Sequence, residues 1–223
     1  MNILVGCEES QAVTIVARQY GHTAFSCDLV ECSGGHPEWH IMQDVLPLLN
    51  GNCTFRTMDG VEHHIDGKWD MIIAHPPCTY FSTAGANWLF RGGVLDEERY
   101  KKGLEMMDLF LEIRNADCPR IAIENVRAMK IWNLPEYTQE IQPYQFGDPF
   151  SKATRLWLTN LPKLIPTKVV EPQSKWISCG NKTNRTAQNN AICKAAGRKR
   201  SETFPGIARA MIEQWAGRCK EES

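Results

Sequence analysis

Residues 2–28 read NILVGCEESQAVTIVARQYGHTAFSCD, and the succession of patterns within them sets the fold class. Residues 2–6 form a short apolar run stopped by Gly6, residues 12–20 carry a helical period that ends at Gly21, and residues 22–28 are strand-like again. Strand, tight loop, helix and strand make the unit from which parallel sheets are built. Residues 39–44 supply a third strand, ending like the second in an acid. Farther along, residues 69–74 are a buried-type strand. Leu104, Met107 and Leu111 recur at helical spacing within 96–115, and 120–126 form another apolar strand. Residues 140–147 and 154–159 are a last strand pair, and 204–215 a helix with Ile207, Met211 and Trp215 on one face. The expectation is an α/β chain with a mostly parallel sheet and helices on both of its faces.

Two segments interrupt the alternation. Residues 53–66, CTFRTMDGVEHHID, set Asp59-Gly60 between two β-rich runs, the short-range signature of a hairpin. Residues 161–203 are rich in Pro, Lys, Asn, Thr and Arg and show no period. The organisation expected is a catalytic domain over 1–160 with an inserted hairpin at about 53–66. A small basic insert over 161–203 follows, and then a helical segment, 204–223, that packs back on the sheet.

At 223 residues, 43% hydrophobic and 23% charged, the chain can bury one sizeable core, which excludes a disordered or fibrous protein. The start, MNILVGCEES, has no basic flank or cleavage site, and no apolar run nears the ~18 residues of a membrane span. A soluble, cytoplasmic protein without membrane contact is expected. Nine cysteines, odd in number and without a C-x-x-C pair, indicate neither a disulfide framework nor a zinc ribbon. Cys32, His36 and His40 share a four-residue spacing, but Gly34, Gly35 and Pro37 prevent a regular helix from aligning them, so no metal is expected. The net charge of -1 excludes a uniformly basic coat, yet residues 161–200 hold nine basic side chains against Glu171 alone. That stretch suits nucleic-acid phosphates.

Three points converge at the carboxyl edge of such a sheet: the loop Gly6-Cys7-Glu8-Glu9-Ser10-Gln11, Asp28, and Asp44. Acids there bind the ribose hydroxyls of a nucleoside ligand, although strand-end acids are equally at home as solvated loop residues. One glycine in place of G-x-G-x-x-G disfavours a pyrophosphate and leaves room for a phosphate-free nucleoside. In Ala74-His75-Pro76-Pro77-Cys78-Thr79-Tyr80-Phe81-Ser82-Thr83-Ala84-Gly85, two prolines stop a strand and hold a cysteine on stiff backbone at that same edge. A thiolate is the soft nucleophile that adds to an electron-poor ring carbon. Glu124, in Ile123-Glu124-Asn125-Val126, ends the following strand.

Pro76-Pro77-Cys78, Phe81-Ser82, Ala84-Gly85 and Glu124-Asn125-Val126 resemble the catalytic motifs of DNA (cytosine-5) methyltransferases, over most of residues 1–160. The terminal segment from Phe204 resembles that of short phage and prophage members. The resemblance implies a Rossmann-like S-adenosylmethionine-dependent methyltransferase fold and methyl transfer from S-adenosylmethionine to carbon 5 of cytosine in DNA. Cys78 would be the covalent nucleophile, Glu124 the proton donor to ring nitrogen 3, and Arg155 a contact to the cytosine carbonyl oxygen. Gly6, Glu8, Glu9, Asp28, Asp44 and Pro76 would hold the cofactor. Pro77, Ser82, Asn125, Lys182 and Arg185 would meet a cytosine flipped from duplex or presented in single-stranded DNA. Trp88, in the loop after Cys78, would cover the site on closure or anchor that loop.

The departures from the family pattern carry information. Its Phe-x-Gly-x-Gly opening is here Leu4-Val-Gly6-Cys-Glu8. The glycines ahead of Pro-Pro-Cys are Ala74 and His75. Ala153, beside Lys152, stands for the first arginine of an Arg-x-Arg pair. About 40 residues occupy the place of a target-recognition domain, which implies a short or relaxed recognition sequence. A non-catalytic binding protein with this fold, or an enzyme acting on free cytidine nucleotides, fits the same residues. Sequence does not set the oligomeric state.

Overall fold

The computed structural model describes residues 1–172, 174–175 and 202–219. In chain order its elements begin with β1 (Asn2–Gly6), α1 (Ala12–Gln19), β2 (Thr23–Asp28), β3 (His40–Met42), β4 (Cys53–Arg56), β5 (Glu62–Ile65) and β6 (Met71–Ala74). The loop after β6 carries a one-turn helix, α2 (Ala86–Leu89), and a minimal hairpin, β7 (Phe90–Arg91) and β8 (Val94–Leu95). Then come α3 (Glu97–Arg114), β9 (Ile121–Asn125), β10 (Gln139–Ile141), β11 (Phe150–Ser151), β12 (Thr154–Thr159), β13 (Ser174–Lys175) and α4 (Pro205–Trp215).

Seven strands form one sheet in the order β10-β12-β9-β6-β1-β2-β3. Neighbours β3, β2, β1, β6 and β9 run parallel, while β12 is antiparallel to both β9 and β10. This is the mostly parallel, Rossmann-like sheet expected from the sequence, with one reversed strand. Strand order turns back between β1 and β6, so the loops after these two strands diverge to opposite faces and open a crevice at their carboxyl ends.

Alternation along the strands fills two cores. Leu4, Phe25, Ile72 and Ile123 face one layer, where they meet Phe110 and Ile113 of α3 and Trp157 of β12. Ile3, Val5, Met71, Ile73 and Ala122 face the other, against Val13 and Ala17 of α1 and Ile207, Met211 and Trp215 of α4. Helices cover both faces, and the period of two in the strands is what assigns each residue to its layer. In α4 the indole N–H of Trp215 donates to Pro162 O at 2.9 Å, which fastens the helix to the chain leaving β12.

Differences from the sequence expectation are local. The hairpin at 53–66 forms as β4 and β5, with Gly60 at φ +89° in its turn. In place of a strand over 140–147 the structure has one at Gln139–Ile141, because Pro143 has no N–H for the ladder and starts a single 3-10 turn. His36 and His40 have partners of their own: His36 stacks on Trp39, and His40 bonds Ser26 Oγ and Val30 O. Of the expected basic insert, residues 161–172 pack along the sheet domain through buried Leu164. Most of the insert lies outside the described residues. No helix among the described residues is long and apolar enough to cross a membrane.

Asp96 caps α3 by accepting from Arg99 N at 3.0 Å, and Gly103 lets the helix ride directly on Trp132. A Cβ at position 103 would lie 2.0 Å from Trp132 Cη2. Gly103→Ala is therefore expected to destabilise the fold by about 1–3 kcal/mol despite alanine's better helix propensity. Urea denaturation of the two proteins measures the difference.

Candidate active site

The crevice at the β1/β6 switch point is lined by Cys7, Glu8, Glu9 and Ser10 after β1, Asp28 at the end of β2, and His75, Pro77, Cys78 and Thr79 after β6. Glu202 and Thr203, ahead of α4, close it from the opposite end of the chain. The crevice encloses about 190 Å³ and opens to solvent at its mouth.

The loop after β6 is tied to its neighbours through His75, Pro76 and Phe81. His75 N–H donates to Gly6 O at 2.9 Å, continuing the β1–β6 ladder by one residue. Buried Asn125 at the end of β9 donates from Nδ2 to Pro76 O at 2.9 Å. Cys78 O accepts from Phe81 and Ser82 N–H at 3.1 and 3.0 Å, and Phe81 O from Met129 N–H at 2.8 Å. Ser82 also bridges Ala128 in the loop beyond β9. The prolines stiffen the chain, and these bonds fix where the stiff segment points.

The residues expected on the cofactor side divide by what they touch. Glu8 is 3% exposed and accepts from Val13 N–H at 2.6 Å and Thr14 Oγ1–H at 2.7 Å, so its carboxylate caps α1. Burial pushes the Glu8 carboxyl above its usual range, against the charge of His75 and the bonds from Val13 and Thr14. Glu9 accepts from the Ser33 hydroxyl, and its backbone O from Ser33 N–H at 2.8 Å. Asp28 is half-buried, and burial raises its carboxyl. Asp44 is exposed in the adjoining groove with Leu29, Leu46 and Leu49. Gly6 packs so closely that a Cβ there would sit 3.0 Å from Val45 Cγ2.

Two cysteines line the crevice. Burial, then the charges of Asp28 and Asp44, push the Cys7 thiol up to about 12. Cys7 is consequently no thiolate near neutral pH, which leaves Cys78 as the candidate nucleophile.

Glu124 is joined to His75, whose Nδ1 lies 3.1 Å from Oε2; the side chains are 11% and 7% exposed. Burial raises the Glu124 carboxyl, but the hydrogen bond from His75 and the charges of Lys152 and His75 outweigh it and hold the group below the usual carboxylate range. Lys152, beside Ala153 and ahead of β12, is the source of that positive charge. Arg155 pairs across the sheet with Asn125, but its guanidinium bonds Glu140 at 3.1 Å and lies 4.2 Å from the Tyr137 ring centroid. It lines a separate groove with Lys130, Asn133 and Trp157. Trp88 is 44% exposed beside the β7–β8 hairpin. Lys182 and Arg185 lie outside the described residues.

Sequence analysis did not assign roles to His75, Lys152 or Thr203. For His75 a signal existed, since a histidine replaces glycine next to the proline pair; for Thr203, 128 residues away, none did.

No family model matches the chain, and no curated protein matches it. Among solved structures it is similar to a protein described as a DNA modification methyltransferase encoded within an E. coli prophage. That alignment is 15% identical, covers 77% of this chain and 52% of that one, and has a TM-score of 0.46. The S. pombe Dnmt2 methyltransferase is likewise 15% identical over 73% of this chain and 52% of that one, with a TM-score of 0.40. The chain spans about half the length of these two proteins.

Proposed function

We propose that this chain transfers a methyl group from S-adenosylmethionine to carbon 5 of cytosine in DNA through a covalent adduct with Cys78. The observation that carries this reading is the convergence at one crevice of Cys78 and His75, the partner of Glu124, with an acidic wall formed by Glu9 and Asp28.

The donor set suits the cofactor. Among the described residues, the wall of the crevice includes Glu8, Glu9, Asp28 and Glu202 and neither lysine nor arginine. Such a wall attracts a cation and repels a phosphate, and S-adenosylmethionine carries a sulfonium and an ammonium but no phosphate. Gly6 would admit it by close approach, Ser10 and Glu9 would face its polar groups, and Asp28 and Asp44 its nucleoside. Bound there, the cofactor supplies an electrophilic methyl group.

The protein's own residues would then act in turn. Pro76 and Pro77 present Cys78, whose thiolate bonds carbon 6 of a flipped cytosine. Glu124, which His75 and Lys152 hold below the usual carboxylate range, must first take up a proton from solvent. It gives that proton to ring nitrogen 3, so the electron pair displaced from the 5,6 double bond becomes available at carbon 5. After methylation, loss of the carbon-5 proton restores the double bond, expels Cys78 as thiolate and returns the proton from nitrogen 3. Pro77 and Ser82 would border the base, Asn125 would hold Pro76 behind it, and Lys182 and Arg185 would meet the phosphates, while Arg155 stays with Glu140 in its separate groove.

DNA containing 5-fluorocytosine has no carbon-5 proton to lose, so the adduct accumulates. Incubation with duplex or single-stranded 5-fluorocytosine DNA and labelled S-adenosylmethionine is expected to give a denaturant-stable protein–DNA complex that requires cofactor. Methylated cytosine formed without any trapped complex would overturn the covalent route. Neither product, with DNA still bound, would mark a binding protein.

A further inference from the structure

His75 is unusual in two respects. Its Nδ1 faces two groups, Glu124 Oε2 at 3.1 Å and Thr203 Oγ1 at 3.3 Å, and its Nε2 is buried with no partner among the described residues. A histidine that only braces a fold normally satisfies both ring nitrogens, so a buried nitrogen left without a partner calls for an explanation. The ring also stands at the crevice wall, three residues before the nucleophile. One nitrogen cannot donate to a carboxylate and accept from it in the same state. Beside the Glu124 carboxylate Nδ1–H is the donor to Oε2, and Thr203 Oγ1 is the second group within its reach.

Resting on the methyl-transfer reading above, we propose that His75 is the positioning residue of Glu124. Its Nδ1–H anchors Oε2, so that the second carboxyl oxygen is turned toward ring nitrogen 3 of the substrate. In the forward step the bond between that second oxygen and its proton breaks, the bond from nitrogen 3 to the proton forms, and the electron pair stays on the carboxylate, where Nδ1–H meets the new charge. The reverse transfer at expulsion of Cys78 restores the acid. The charges facing the pair are Glu8 from the β1–α1 loop, Lys152 ahead of β12, and Glu9, Asp28 and Glu202 around the crevice.

The test compares wild type, His75→Ala and His75→Asn, whose amide keeps a neutral donor. The first readout is the titration of the Glu124 side-chain carbon by carbon-13 NMR, assigned through Glu124→Gln, and it requires no activity. His75→Ala is expected to move that titration upward by about one pH unit or more, and His75→Asn by less. The second is the pH profile of kcat for methyl transfer. In His75→Ala the high-pH limb should move up with Glu124, kcat should fall about tenfold or more, and KM for DNA should change little. His75→Asn should recover part of kcat. Should His75→Ala not fold, His75→Asn and Thr203→Val carry the comparison. A Glu124 titration and a kcat profile both unmoved, with wild-type methyl transfer intact, would overturn the role of His75. Absence of methyl transfer by wild type would instead overturn the reading beneath it, and the carbon titration would still decide whether the pair is coupled.

Discussion

Cys78→Ala is expected to eliminate trapping by 5-fluorocytosine DNA and to lower methyl transfer at least about a thousandfold, as loss of a covalent nucleophile does elsewhere. The substitution is expected to cost the fold about 1 kcal/mol or less, because Cys78 is half-buried at a crevice and its loop is held by backbone bonds. Those bonds run from Phe81 and Ser82 to the Cys78 carbonyl, and from Asn125 to the Pro76 carbonyl, and alanine keeps them all. No second thiol on this crevice can substitute: Cys7 is also in its wall, but burial and two nearby carboxylates hold that thiol protonated to about 12. Cys7→Ala is the matched control and should still trap. Label incorporation and thermal denaturation on the same preparations separate lost chemistry from lost structure, and cytosine methylated at carbon 5 by Cys78→Ala would rule the mechanism out.

Trp132→Ala carries the largest structural effect, an expected loss of about 3–5 kcal/mol. Trp132 is 1% exposed and sits where three parts of the site meet. Its ring stacks on Tyr100 of α3 with centroids 5.4 Å apart, meets Phe81 of the nucleophile loop edge-on at 6.0 Å, and fills the space opposite Gly103. The loop that bears it, after β9, is also the one whose Met129 N–H bonds Phe81 O. Removing the indole empties the support beneath Cys78 and unlinks the Glu124 strand end from α3. Stability and methyl transfer should therefore fall together, in contrast to Cys78→Ala, where only the second falls. Trp132→Phe should lose much less, since the indole N–H has no partner among the described residues and no hydrogen bond goes with it. Urea denaturation gives the stability ranking. A loss under about 1 kcal/mol in Trp132→Ala would mean that the loop is held by something else.

How much of this was legible follows from the range of each interaction. The strands of residues 2–6, 22–28, 69–74 and 120–126 were readable because alternation, apolar runs and glycine or proline stops act within a few residues. The hairpin was readable because Asp59-Gly60 has the backbone freedom its turn requires, and Gly60 does adopt φ +89°. The strand over 140–147 was overestimated because a composition rich in Gln and Tyr says little against one misplaced proline, which ends the ladder at Ile141.

The site divides in the same way. Asp28 and Cys78 were found from their places at strand ends, and a parallel sheet gathers strand ends at one edge whatever the rest of the chain does. Residue order alone thus determined an α/β chain with a cysteine on a proline-stiffened turn and acids at neighbouring strand ends. Which groups those side chains touch depended on the third dimension. Glu8 turned inward to cap α1, Asn125 reached Pro76, Arg155 went to Glu140 and Tyr137, and His75 met Glu124 from one side and Thr203 from the other. Each of these contacts except the first joins residues at least 15 positions apart. A hydrogen bond needs its partners placed to within a few tenths of an ångström. Local pattern sets the strands, but only the packing of both layers against the sheet brings such distant groups to that precision.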